Sequence, residues 1–357
     1  MNTSINQDLY ELLDKYMKAK PDTLSAQELN ELNSLFEYCR EGMESDSQKF
    51  VAALLIKSLL KRISLDSKNE NIYLKQYDVS QIQLFNILID KFPFVKFSQQ
   101  ITNEAIVDII KDHHQAAIID IGIGQGTQIA NILERSKNLN TIKKLTIVGI
   151  EPSTEALSIA EQNISAYKDK LPFEIEFIAI PEFIENMDFS MLKNLPATII
   201  VNASLALHHI QSQEKRVETI AKIKLLRPTA FFLTEPNVNH FEPDFYKRFQ
   251  NCYRHFYHLF KVIDQIEIDN QEKNALKLFF GREIEDIIGK PDHDRFEKHE
   301  PAMHWIERLK VNQFTLKNNL LDIPMETESG VKIRYHHEGF LGFTFDEETV
   351  LAVICAN

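Results

Sequence analysis

The sequence predicts an α/β fold: a Rossmann-like, doubly wound, mostly parallel sheet with an antiparallel C-terminal edge, joined to an N-terminal helical cap and a helical insert. Three observations predict it. Apolar residues recur at helical spacing through residues 7–114 with no convincing strand alternation. After Gln115, β-branched apolar runs alternate with helical ones. The tail VKIRYHHEGFLGFTFDEETVLAVICAN alternates as antiparallel strands do.

In the first region Leu9, Leu12, Leu13 and Tyr16 share one helical face. So do Val51, Leu54, Leu55, Ser58 and Leu59, and then Ile82, Phe85, Leu88 and Ile89. The polar stretch SLDSKNENIYLKQYDVS reads as a loop, and the proline of KFPFVKF ends a helix because it cannot continue the hydrogen-bond ladder. Beyond Gln115 the runs AAIIDI, LTIVGI, FEIEFIAI, ATIIVNA and AFFLTE are apolar on both faces, as strands of a helix-covered parallel sheet must be. The helices TQIANILERS, TEALSIAEQNI and EKRVETIAKIKLL lie between them. This divides the chain into a cap, 1–114, and a core, 115–357, with a helical insert at about 240–310.

A chain of 357 residues with 44% apolar content can fill a sizeable core. Its 40 basic and 52 acidic residues give a net charge of −12, which opposes a nucleic-acid or anionic-membrane partner. Cys39, Cys252 and Cys355 lack metal-like spacing and read as reduced thiols. No apolar run approaches a membrane span and the N-terminus has no cationic apolar leader, so a cytoplasmic location is expected.

The stretch IIDIGIGQGTQ carries the first functional signal. In a doubly wound sheet, ligands bind beyond the carboxyl ends of the strands. Asp120 falls at such an end, and Gly122, Gly124 and Gly126 let the backbone bend tightly and approach a ligand, with Gln125 between them. A dinucleotide fingerprint runs G-x-G-x-x-G, whereas here the order is D-x-G-x-G-x-G. A carboxylate facing the loop would repel a pyrophosphate but hold the ammonium of a methionine group. The pattern therefore favours S-adenosylmethionine as cofactor, with a nicotinamide-dependent oxidoreductase as a further alternative. Glu151, closing LTIVGIE, suits ribose hydroxyls or, more plainly, an acid before a helix capped by Ser153. Pro181 and Glu182 fall where adenine would lie, and Asn202 ends the fourth strand.

Methyl transfer needs a positioned acceptor and, for oxygen or nitrogen, a base. His208 and His209 supply imidazoles after the fourth strand, although a histidine pair at a helix start is also satisfied by a carbonyl and by water. Glu235 ends the fifth strand, and Asn239 and His240 follow on the expected cleft rim. Phe245, Phe249, Tyr253, Phe256, Tyr257 and Phe260 form an aromatic stripe typical of a core, with Tyr253 and Tyr257 able to face substrate at its edge. In FGREI, Gly281 is expected to end a helix, and Arg282, beside Glu283, offers a fork for a carboxylate of Glu235, Glu300 or a ligand. His299, Glu300 and His304 lack the H-E-x-x-H order of a zinc helix, so no metal is expected.

With these residues in view, the chain resembles the GRAS family. KFPFVKFSQQITNEAIVDII resembles the family segment that precedes its glycine loop, and IIDIGIGQGTQ is similar to its VHIID-type motif continued by IGQG. VNASLALHHI is similar through Asn202, Leu207 and His208, and TEPNVNHFEPDFYKRFQNCYRHFYHLF through Glu235, Asn239, His240, Arg248, Phe249, Tyr257 and Phe260. The segments FFGREIEDII and DRFEKHEPAMHWIERL match through Gly281, Arg282, Glu283, Arg295, Glu297, His299, Glu300 and Trp305. The resemblance covers about residues 90–310. The C-terminal serine-alanine-tryptophan motif and the long N-terminal extension of plant members are not visible. The resemblance thus implies the bacterial type: a helical cap over a Rossmann-like methyltransferase core, acting with S-adenosylmethionine on a small molecule. A homodimer is left open, and the alternative is an inactive GRAS-type scaffold binding protein partners.

Overall fold

The computed structural model describes residues 3–18, 24–63 and 77–357. The strands are β1 Gln115–Ile121, β2 Lys144–Ile150, β3 Glu174–Ile180, β4 Ile199–Ser204, β5 Ala230–Pro236, β6 Lys332–His336, β7 Phe340–Phe345 and β8 Glu348–Ala356. They form one sheet in the order β3-β2-β1-β4-β5-β8-β7-β6. β1 to β5 run parallel, and β8, β7 and β6 continue antiparallel from β5, so the expected C-terminal edge is present. The order reverses between β1 and β4, where Asp120 lies opposite Asn202.

Side chains alternate across these strands, and the two faces are buried in two separate clusters. Ile118, Ile147, Ile200 and Phe232 join one, while Ile119, Val148, Val201 and Leu233 join the other. The second cluster is covered by α8 Gln213–Leu225 and α11 Ala302–Val311, through Ile220, Ile223, Trp305, Ile306 and Leu309. The first is covered by α5 Pro93–Ile110, α6 Thr127–Arg135 and α7 Thr154–Ser165, and it extends without a break into the cap.

The remaining helices are α1 Thr3–Lys18, α2 Ala26–Arg40, α3 Ser47–Ile63, α4 Gln81–Asp90, α9 Phe245–Gln265 and α10 Asn270–Ile284. Pro93 opens α5, so the chain breaks between α4 and α5 as its fixed φ requires. Of the expected polar loop at 64–80, residues 64–76 lie outside the described residues. α3 is apolar almost all round because α2, α9 and α10 surround it. Phe50 meets Phe260 edge-on at 5.7 Å, and the Ser47 hydroxyl donates to Asp264 on α9 at 2.6 Å.

Gly281 lies inside α10 rather than at its end. A Cβ there would come within 2.8 Å of Leu54, so the glycine permits close helix packing instead of a cap. The insert is also split. α9 and α10 complete the cap, whereas α11 packs on the opposite face of the sheet.

Candidate functional site

The β1–α6 loop takes the left-handed backbone its glycines permit, with φ of 73° at Gly122, 52° at Gly124 and 74° at Gly126. A Cβ on Gly122 would meet that of Ala206 at 2.8 Å, and one on Gly126 would meet that of Ala160 at 3.1 Å. These two glycines let the loop pack against the segment after β4 and against α7. Gly124 alone faces open space, and Gln125 beside it is exposed.

Asp120 departs from the expectation that it faces a ligand's ammonium. It is 3% exposed and accepts a 2.7 Å hydrogen bond from the Asn202 amide. The same amide reaches Gln128 at 3.2 Å, and Gln128 donates onward to Asn103 and Thr102 on α5. Burial pushes the Asp120 carboxyl up to about 7, against the lowering effect of the Asn202 bond. Gln128, Thr102 and Asn103 had no motif to mark them; only polar residues on a buried helix face signal such a network. One oxygen of Glu151 accepts the Ser153 amide at 3.1 Å while Ser153 caps α7, and the side chain stays half-buried. Pro181 is exposed, and Glu182 accepts the amide of Phe183 at 2.9 Å.

A second cluster lies at the ends of β4 and β5. Leu205, held left-handed at φ 57°, turns the chain out of β4 into a short 3-10 turn, Leu207–His209. One Glu235 oxygen accepts the amides of Leu207 and His208, and the other meets His208 Nδ1 at 2.6 Å. This leaves His208 Nε2 directed toward Glu297, 3.6 Å away. His299 Nε2 approaches the same carboxylate at 3.3 Å and that of Glu283 at 4.0 Å, while its Nδ1 contacts His240 Nδ1 at 2.8 Å. Glu297 is held in place by Asp286, which accepts the Phe296 and Glu297 amides at 2.7 Å each. His209 is exposed beside His208, with 4.0 Å between ring centroids.

Burial raises Glu235 to about 7 and drives His208 and His240 well down. Burial and the nearby Glu297 raise Glu283.

The other expected substrate contacts scatter. The Tyr253 hydroxyl accepts from Gln48 of the cap at 3.0 Å, and Tyr257 stacks on Tyr253 with ring centroids 6.1 Å apart. Asn239 offers its carbonyl to Asn251 at 2.8 Å. Arg282 is exposed, and neither acid proposed for it is its partner: Glu235 holds His208, and Glu300 binds the fully buried Arg216 and also Arg308. Arg216 was missed because nothing local distinguishes it within EKRVETIAKIKLL. The three cysteines are free and buried.

The profile of the GRAS domain family matches residues 7–354. The chain belongs to the GRAS domain family. It is 24% identical over 355 residues to Scarecrow-like protein 1 of Arabidopsis thaliana, covering 92% of this chain and 60% of that one. It is 24% identical over 249 residues to the Scarecrow-like transcription factor PAT1 of the same plant, covering 66% and 51%. The chain therefore spans less than two thirds of either relative. The crystal structure of SCL7 in Oryza sativa superposes with a TM-score of 0.79 at 18% identity, over 98% of this GRAS chain and 99% of that one.

These relatives correct the expected enzyme. One of the two sequence relatives is named as a transcription factor, and neither is named for a reaction. The reading as a methyltransferase with a small-molecule substrate is overturned, and the scaffold alternative agrees better with the family.

Proposed function

We propose that this GRAS protein is a regulatory scaffold that works by binding other proteins. The observation that carries the reading is the family match over nearly the whole chain, with a relative named as a transcription factor. The cap adds physical support. A groove of about 570 Å³ between α1 and α2 is lined by Leu12, Tyr16, Leu35 and Tyr38 and rimmed by Asn30 and Glu31. Leu12 and Tyr38 are 47% and 48% exposed. An apolar trough with a polar rim of Gln27, Asn30, Glu31 and Ser34 suits the apolar face of an amphipathic helix of a partner. The net charge of −12 favours such a partner over a phosphate backbone.

Asp120 is engaged internally, whereas Gly124 and the half-buried Glu151 remain suited to a nucleoside. S-adenosylmethionine enters this proposal only as a bound effector of partner affinity, and calorimetric titration of the protein with it tests that part.

The main test is affinity purification from the native cells with wild type and the Leu12→Glu/Tyr38→Glu variant, both confirmed folded by circular dichroism. A defined set of proteins held by wild type and lost from the variant is expected. An unchanged set would remove the cap groove from the proposal.

A further inference from the structure

We propose that Glu297 is the centre of a binding site for one divalent transition-metal cation of the zinc class, with His208 and His209 on one side and His299 and Glu283 on the other. The donor atoms of His208, His209 and Glu297 all lie within 4.8 Å of one another, and so do those of Glu283, Glu297 and His299. Glu297 belongs to both sets.

The spacing suits a metal. Four of these five donors, at zinc–nitrogen and zinc–oxygen bond lengths in a tetrahedron, would stand ~3.4 Å apart. The His299–Glu297, His208–Glu297 and His299–Glu283 separations of 3.3, 3.6 and 4.0 Å bracket that value. Imidazole combined with carboxylate is a donor set for zinc, cobalt or nickel rather than for calcium.

A second and independent observation is the outer shell. A metal-binding histidine characteristically has its other ring nitrogen fixed by a carboxylate or another partner, which settles the tautomer and aims the ligating nitrogen. Here Glu235 holds His208 Nδ1 at 2.6 Å, and two backbone amides hold Glu235 in turn. His240 holds His299 Nδ1 at 2.8 Å, itself stacked on Phe256. Both Nε2 atoms are thereby directed at Glu297. Asp286 pins the Glu297 backbone, so the donors are arranged before any ion arrives.

The site is also accessible from one side. His208 and His299 are 5% and 2% exposed, whereas His209 is open to solvent and can pass an ion inward. Its ligands come from three separate segments, after β4, at the end of α10 and before α11. No local spacing of the H-E-x-x-H kind announces it.

The test uses the full chain stripped with a chelator and titrated with Zn²⁺ by calorimetry, and with Co²⁺ by visible absorption. One equivalent of zinc and d–d bands of a low-coordinate cobalt site are expected. Glu297→Gln should weaken binding by more than 100-fold, and Glu235→Gln, which touches only the outer shell, by ~10–100-fold. His293→Gln, on an exposed histidine, should change nothing. Should Glu297→Gln fail to fold, His209→Gln decides, because its ring is exposed and its loss should weaken zinc at least 10-fold. Absence of stoichiometric zinc in wild type, or binding that His209→Gln and Glu297→Gln both leave unchanged, overturns the site.

Discussion

Asp120 shows how one residue can carry a familiar pattern and a different task. Its carboxyl is buried at the end of β1 and raised from 3.8 to about 7. Below about pH 4 the group is protonated in both folded and unfolded chains. As pH rises the unfolded chain ionises first, so folding loses stability between about pH 4 and 7 and the loss is complete above that. A shift of this size corresponds to about 4 kcal/mol. Asp120→Asn keeps an oxygen for the Asn202 amide but cannot ionise. The stability difference between variant and wild type, from urea unfolding, should therefore grow across that interval and level off above it; a pH-independent difference would place the titration elsewhere. The glycines separate in the same manner. Gly122→Ala combines φ of 73° with a 2.8 Å approach to Ala206 and should cost more than the ~1–2 kcal/mol of a left-handed residue alone. Gly124→Ala meets nothing and should cost only that amount, so equal melting temperatures for the two variants would contradict the packing role.

At the scale of elements, the parallel strands were legible because burial on both faces leaves apolar runs such as AAII and IVGI, and the cap was legible because Val51, Leu55 and Leu59 keep helical spacing. The clusters between elements were not. Arg216 on α8 reads as one more charge on a solvated face, yet it is fully buried and ties three elements together. It donates to the Ile210 and Lys298 carbonyls at 2.8 and 2.9 Å and pairs with Glu300 just before α11. Its guanidinium also lies 5.1 Å from the Trp305 ring. Such pairing depends on sheet order, which brings α8 and α11 onto one face, and no sequence window spans both. Arg216→Met should destabilise by ~3–5 kcal/mol in chemical denaturation, because it strips a principal partner from a buried carboxylate. Adding Glu300→Leu should recover part of that loss, and a purely additive double variant would show the pair to be uncoupled.

For the whole molecule, the decisive feature is that cap and sheet share one apolar cluster. Leu55 and Leu59 of α3, Phe249, Phe256 and Phe260 of α9, and Ile118 and Phe232 of the sheet are all buried in it. A boundary near Gln115 marks a change of periodicity in the sequence but no gap in packing. Periodicity reports the form of each segment, and where its apolar face docks depends on contacts that are distant in sequence. Removing α1 to α3 would uncover the faces of α9 and α10 that α3 now covers. Each large apolar side chain returned to water loses ~1.5–3 kcal/mol, so half a dozen together match the 5–15 kcal/mol that an ordinary fold has in total. A fragment of residues 78–357 is therefore expected to lose near-ultraviolet circular dichroism and to bind a hydrophobic dye, whereas the full chain should unfold in one cooperative step. If the fragment melts cooperatively with native-like spectra, the cap is a separable module. Partner binding at the α1–α2 groove could then not be transmitted through a common core to the glycine loop or to Glu297. If it collapses, any protein that grips the cap acts directly on the packing that positions both.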